Sequence, residues 1–296
     1  MTKCSGCGIV LQNENKLELG YTPKLDNLYC ERCFKTIHYG KSSEVNNLNN
    51  DNIIVKINKL NYFTFFITDF LNLNKKVIEM YNQITTKKVL LVNKIDLLPD
   101  NLKLAHIVEN IQTTYNIKDM IVISGESGYG LNKVIDLIEE KENVVFCGET
   151  SSGKSTLINK ILDTKLTTSK FDNTTLDFIK LDYLKYTIYD TPGFILDKKT
   201  YYNKIKVLPK ILKKDYELHI GGYILKTNED TPVTLFIKDN VLVKSKKNKE
   251  ALNKKITLNM SSDLYLEDIG FVYIKNKSTI YINKNVEVRK SIIGGK

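Results

Sequence analysis

The sequence predicts a mixed α/β protein in three parts: a cysteine-ligated metal knuckle, a phosphate-loop nucleotide-binding domain, and a basic, strand-rich C-terminal domain. Three observations carry this expectation. The apolar run Val144-Val145-Phe146-Cys147 leads into Gly148-Glu149-Thr150-Ser151-Ser152-Gly153-Lys154-Ser155, and Thr156-Leu157-Ile158-Asn159-Lys160-Ile161-Leu162 follows with helical character. Two C-x-x-C pairs, Cys4/Cys7 and Cys30/Cys33, stand near the N-terminus. From Tyr201 onward, short β-branched runs alternate with lysines, and 19 Lys plus Arg stand against 10 Asp plus Glu.

At 296 residues the chain exceeds an ordinary single domain. The expected divisions are residues 1–45 for the knuckle, 46–200 for the nucleotide-binding domain and 201–296 for the basic domain. No apolar run approaches the roughly 20 residues that span a bilayer, and the N-terminus shows no signal or transit pattern. A cytoplasmic protein without a membrane partner is expected. The formal net charge is +10, and nearly all of the excess falls in the last third. That distribution favours a polyanionic partner such as RNA, although a solvated lysine-rich face would have the same composition.

The loop at 148–155 fits the pattern G-x-x-x-x-G-K-S between a strand and a helix, the context in which it cradles phosphates. Gly148 and Gly153 let the N–H groups of Thr150, Ser151, Ser152 and Thr156 turn toward phosphate oxygens, and the helix start adds its positive dipole end. Lys154 would bridge the terminal phosphates of a triphosphate, and the Ser155 hydroxyl would hold Mg2+. The two cysteine pairs are 22 residues apart. Each places two thiolates on one tight turn, and together they close a tetrahedral site; Zn2+ is the expected ion, with iron left open by the same ligands. Arg32, Lys35, His38, Tyr39 and Lys41 follow within reach of nucleic acid.

Residues 42–51 are Asn-rich and read as a linker. A strand is expected at 52–57, a helix at 75–84 and a doubly buried strand at 89–92. The last ends at Asn93-Lys94-Ile95-Asp96. There a carboxylate, Asp96, can accept from N1–H and the exocyclic amine of guanine; adenine lacks that donor pair, so Asp96 would be left unpaired. Asn93 would bind the base edge and the neighbouring loop, with the Lys94 stem along the purine; the alternative for Asp96 is a helix N-cap. A helix at 102–115 leads to a buried strand at 120–123, and Ser124-Gly125-Glu126 is placed to cover the other side of the base. A further helix is expected at 131–141. After the phosphate loop, 170–175 forms a loop in which Thr174 or Thr175 could reach Mg2+ and the γ-phosphate. Residues 175–181 and 184–189 read as a hairpin ending in Asp190-Thr191-Pro192-Gly193, with Asp190 holding Mg2+ through water and the Gly193 N–H sensing the γ-phosphate.

These are the parts of a GTPase in an altered order, with the base-reading segments before the phosphate loop. The chain resembles the YqeH-type family of circularly permuted ribosome-assembly GTPases, most strongly over Cys4 to Cys33 and Val89 to Gly193, with weaker echoes at Gly221-Gly222 and Asp268-Ile269-Gly270-Phe271-Val272. The resemblance implies GTP/GDP, Mg2+ and Zn2+ as ligands. It implies catalysis by Lys154, Ser155, Thr174, Thr175, Asp190 and Gly193 without covalent chemistry, and association with the small ribosomal subunit or its precursor and with ribosomal RNA. Off the ribosome a monomer is expected. The permuted order makes the 190–193 switch run directly into the C-terminal domain, so nucleotide state should pass through 194–206.

The chain departs from the family pattern at Asp172-Asn173-Thr174-Thr175, where relatives carry Pro-Gly-Thr-Thr. Ser151 replaces the Asn associated with potassium. Phe194 stands where Ras-like enzymes place glutamine, which implies slow intrinsic hydrolysis. Two other classes compete: an RNA-binding assembly factor that keeps GTP as a structural ligand, and an adenosine-nucleotide kinase, which Asp96 opposes. In the C-terminal part, strands are expected at 233–237, 241–243, 271–274 and 279–282. The runs 244–249 and Lys254-Lys255 are read as interruptions between strands, contacting RNA phosphates with Tyr or Phe stacking on bases. Edge-protecting lysines over a core of aromatics are the alternative.

Overall fold

In the computed structural model, which describes residues 2–16, 18–39, 49–162, 177–196, 200–247, 252 and 254–294, the chain gathers into two compact units. One takes Met1–Asp69, Glu79–Ile95 and Ile121–Asp197; the other takes Phe70–Ile78, Asp96–Met120 and Lys198–Lys296. Both units are thus discontinuous in sequence. Among the described residues, no helix is long and apolar enough to cross a membrane.

The first half of the chain supplies α1 (Glu31–Tyr39), α2 (Asn50–Leu60), β1 (Phe63–Asp69), α3 (Lys75–Gln83), β2 (Lys88–Asn93), α4 (Leu104–Tyr115), β3 (Met120–Val122) and α5 (Leu131–Lys141). Next come β4 (Asn143–Gly148), α6 (Lys154–Leu162), β5 (Ile179–Tyr183) and β6 (Tyr186–Asp190). The six strands form one sheet in the order β3-β2-β1-β4-β6-β5. Strands β2, β1, β4 and β6 run parallel, and β5 is antiparallel to its neighbour β6. The core on this sheet joins Phe65, Leu91 and Phe146 to Leu157 of α6 and Ile138 of α5.

Two sequence expectations fail here. Residues 52–57 belong to helix α2: Asn49 caps it by accepting from the Asp51 N–H, and Ile53, Ile54 and Ile57 are its buried stripe. The β-branched isoleucines suggested a strand, but their i, i+1, i+4 spacing is helical. The strand lies one step later, at β1, buried from Thr64 to Asp69 and paired on both sides. Buried on both faces, it shows no alternation to read. Strand β3 is a half-buried edge rather than a buried strand. The hairpin is found as β5 and β6; its expected first residues, 175 and 176, lie outside the described residues.

The knuckle is fastened to the same unit through Asp177. Its N–H donates to the Cys7 carbonyl at 3.0 Å, and its carboxylate pairs with Lys3 at 3.0 Å and Lys56 at 2.7 Å. Burial works to raise this carboxyl, but the two ammonium groups outweigh it and hold Asp177 below the usual range.

The second unit is built on β7 (Ile205–Leu212), β8 (Tyr216–Ile220), β9 (Tyr223–Thr227), β10 (Thr231–Lys238), β11 (Val243–Lys247) and β12 (Lys254–Leu258). Four more strands complete it: β13 (Ser262–Leu266), β14 (Gly270–Ile274), β15 (Ser278–Ile282) and β16 (Glu287–Lys290). They form two five-stranded sheets, β16-β13-β14-β10-β7 and β11-β8-β9-β15-β12. Between them lies a core of Leu218, Leu225, Leu235, Val272 and Ile280. Where they are described, the lysine runs expected to interrupt strands are themselves strands: 243–247 and 254–258 are the two edges of the second sheet, where exposed lysines fit an edge, while 248 and 249 lie outside the described residues. Residues 241 and 242, expected to open a strand, precede β11 and belong to no strand.

The same unit holds α4 and the segment after β1. Arg289 donates to the Leu73 carbonyl and to the Tyr115 hydroxyl, and its Nε donates to Asp263 at 3.3 Å. Phe70 packs edge-on against Phe271. Asn110 donates to the Gly294 carbonyl at 2.8 Å.

Candidate nucleotide and metal sites

Backbone conformation makes the phosphate loop possible. Gly148, Ser151 and Gly153 all have positive φ. A Cβ on Gly148 would strike the Ile67 carbonyl, and one on Gly153 would strike the Asn93 amide, so glycine is required at both. The Ser152 hydroxyl is buried without a hydrogen-bond partner among the described residues. A buried, orphaned hydroxyl beside a helix N-terminus fits an anionic ligand. Ser155 follows in the first turn of α6.

Lys154, in the same turn, is buried and paired with buried Asp190 at the end of β6. The pairing joins two residues placed on one ligand by the sequence, 36 positions apart. Gly193 lies flat against Thr150, with no room for a Cβ. Phe194 exchanges backbone hydrogen bonds with the loop, donating to the Gly148 carbonyl at 2.8 Å and accepting from Thr150 at 3.1 Å. Its ring is buried and stacks on Phe66, so it serves as a core anchor and offers nothing to orient water. Thr174 and Thr175, and residues 197–199 of the path toward the C-terminal domain, lie outside the described residues.

At the other end of the site, Asn93 is a bridge. Its amide donates to the Ser152 carbonyl at 2.8 Å and accepts from the Gly125 N–H at 2.9 Å, tying the phosphate loop to the Ser124-Gly125-Glu126 turn. The Ser124 N–H donates to the Tyr129 carbonyl, and the Ser124 hydroxyl accepts from Ser127. These bonds fix the turn internally. Lys94, at φ 63°, reaches Asp69 at 3.3 Å. Asp69 was missed in the sequence because its strand was missed; its register opposite Asn93 on the neighbouring strand was the available signal. Asp96 sits on a 3-10 turn, Ile95–Leu97, rather than at a helix N-cap. Among the described residues its exposed carboxylate has no hydrogen-bond or ion-pair partner.

Cys4, Cys7, Cys30 and Cys33 are all buried, and their sulfurs lie within 4.8 Å of one another. Cys7 and Cys30 Sγ are 3.8 Å apart. A tetrahedron with Zn–S bonds of about 2.3 Å has edges of about 3.8 Å, so the spacing fits Zn2+. Backbone N–H groups of Cys30 and Cys33 point at Sγ of Cys4 and Cys30, the support a thiolate needs. The hydrogen bond with Cys33 brings the Cys30 thiol down to about 7. The fifth cysteine, Cys147, is wholly buried in β4, and burial pushes its thiol up, which removes it from metal or redox chemistry. One Zn2+ per chain is expected by elemental analysis. Cys30→Ser should lose it while GTP binding persists, and a visible absorbance band would indicate iron instead.

Over parts of its length the sequence is similar to known GTPase families. Residues 68–196 match a family described as RsgA GTPase, and residues 143–266 match one described as 50S ribosome-binding GTPase. YqeH of Bacillus subtilis is 33% identical over 238 residues, which is 73% of this chain and 65% of that protein. GTPase Der of Clostridium botulinum is 31% identical over 40% of this chain and 30% of its own length. The small ribosomal subunit biogenesis GTPase RsgA of Streptomyces coelicolor is 32% identical over 25% of this chain and 20% of its own. The chain therefore spans just under two thirds of the YqeH relative and less of the others. The crystal structure of YjeQ from Thermotoga maritima is similar at a TM-score of 0.36 and 19% identity, covering 47% of this chain and 50% of that one.

Proposed function

We propose that this chain, a circularly permuted GTPase of the YqeH type, binds GTP with Mg2+, hydrolyses it to GDP and phosphate, and uses the cycle to time its association with a small-subunit ribosomal precursor. The observation that carries the reading is the bridge made by Asn93, which joins the base-reading segment to a phosphate loop that follows it in sequence. Lys154 would leave Asp190 for the terminal phosphates, Asp190 and Ser155 would hold Mg2+, and Thr174 and Thr175 are the expected switch threonines. Mg2+ would neutralise charge on the β- and γ-oxygens. Catalysis then rests on positioning and electrostatics.

The small-subunit assignment draws on the family resemblance and on the RsgA relative. The other matched family carries a 50S description, so the subunit is a point to test. A second reading, GTP as a slowly turned-over structural ligand, draws on Phe194, whose buried ring replaces a water-orienting side chain. Sedimentation with purified small and large subunits, in GTP-analogue, GDP and nucleotide-free states, tests the proposal. Nucleotide-dependent pelleting with the small subunit is expected. Equal pelleting in all three states would remove the switch, and pelleting with the large subunit alone would remove the subunit assignment.

A further inference from the structure

The second sheet of the C-terminal unit turns Leu218, Ile220, Leu225, Ile280 and Ile282 inward to the core. By the two-residue period of strands, the alternate positions face outward. Five of these outward residues form one row: Lys246 lies opposite Glu217, Glu217 is joined to Lys226 by an ion pair, Lys226 lies opposite Tyr281, and Tyr281 opposite Lys255. The row crosses all five strands, a span of about 19 Å at the usual strand spacing. Lys244 extends it one step along β11, opposite His219.

Charge on the row is unequal. Glu217 is buried and spent on Lys226 at 3.1 Å and His219 at 2.9 Å. Lys244, Lys246 and Lys255 are exposed, and among the described residues none has an acidic partner. Between them the Tyr281 ring is half-buried, its hydroxyl accepting from Asn228 at 3.0 Å, which fixes the ring's orientation. Edge protection accounts for lysines on β11 and β12, the two outer strands. It does not account for Tyr281 on the inner strand β15, beside Lys226 of β9, which is buried and paired with Glu217.

We propose that this face is a single-stranded RNA track, on which Lys244, Lys246 and Lys255 contact phosphates and Tyr281 stacks on one base. Sheet faces with an aromatic platform among lysines suit unpaired bases, because stacking tolerates any base while the lysines follow the backbone. The proposal rests on the RNA-partner reading above and names the surface that carries it. Lys226, held by Glu217 and flanked by Tyr281, sets the platform's inner edge.

The test is fluorescence anisotropy of the full chain with a labelled oligoadenylate long enough to span the row, across a salt series. The double variant Lys246→Gln/Lys255→Gln should lower the slope of log affinity against log salt by about 1.4, from about 0.7 per lost phosphate contact. Tyr281→Ser should weaken binding about tenfold without changing the slope, and Tyr281→Phe should restore it. The two lysine changes are on exposed edges, and thermal unfolding will confirm that they leave the fold intact. If wild type binds RNA and all variants match it, the RNA lies elsewhere and this surface is wrong while the RNA reading stands. If the variants keep oligoadenylate binding but no longer pellet with ribosomal subunits, the face meets protein, which also overturns the proposal. If wild type binds neither oligoadenylate nor ribosomal RNA, the RNA reading falls and the track with it.

Discussion

Lys154→Ala is expected to lower GTP hydrolysis by about 10²- to 10³-fold, the usual cost of removing one preorganised charge from a transition state. The structure adds a complication that the motif alone does not show. Lys154 and Asp190 are both buried and paired, so removing the ammonium takes its countercharge from a carboxylate inside the protein. That should cost about 3–5 kcal/mol of stability in denaturant titrations. The double variant Lys154→Ala/Asp190→Asn should recover most of the stability while hydrolysis stays lost. Recovery of hydrolysis in the double variant would show that Lys154 acts only by neutralising Asp190, and would remove its catalytic role.

Asp96→Asn should lower GTP affinity by about 10²- to 10⁴-fold, since two hydrogen bonds to a charged group are worth about 1.5–3 kcal/mol each. It should also raise affinity for xanthosine triphosphate, whose 2-carbonyl accepts from the new amide while its N1–H still finds the side-chain oxygen. The fold should be indifferent, because Asp96 is exposed and unpartnered among the described residues; a stability change within about 0.5 kcal/mol is expected. Isothermal titration with the two triphosphates reads both effects. Unchanged GTP binding would mean that the base is read by another group.

Much of this was legible in the sequence because the decisive residues are local. Gly148 to Ser155 needs only a strand before it and a helix after it, and both are found at β4 and α6. Four cysteines in two pairs predict their own cluster, whatever lies between. What stayed hidden depends on long-range pairing. Strand β1 is covered on both faces and flanked by two parallel neighbours, so its seven residues carry no period. With it went Asp69, the partner of Lys94. Helix α2 was hidden by three isoleucines whose branching favours strands and whose spacing favours a helix; the Asn49 cap decided between them.

The basic strands misled for a related reason. Lysines at 244, 246 and 247 look like a loop, yet each belongs to an edge strand whose register is set by the neighbour β8. Equally, the grouping of Asp96–Met120 with residues 198–296 in one compact unit could not be read from chain order. Arg289 explains part of it, since one guanidinium binds the Leu73 carbonyl, Tyr115 and Asp263. No local pattern announces that such distant residues share a cation.

Whether guanine is the base that this chain reads is settled most directly by the affinities of the wild-type chain for GTP and ATP with Mg2+, measured side by side by titration calorimetry. Binding of GTP with ATP weaker by about 10²-fold or more is expected from the Asp96 carboxylate. Equal affinities, or a preference for ATP, would contradict the guanine switch.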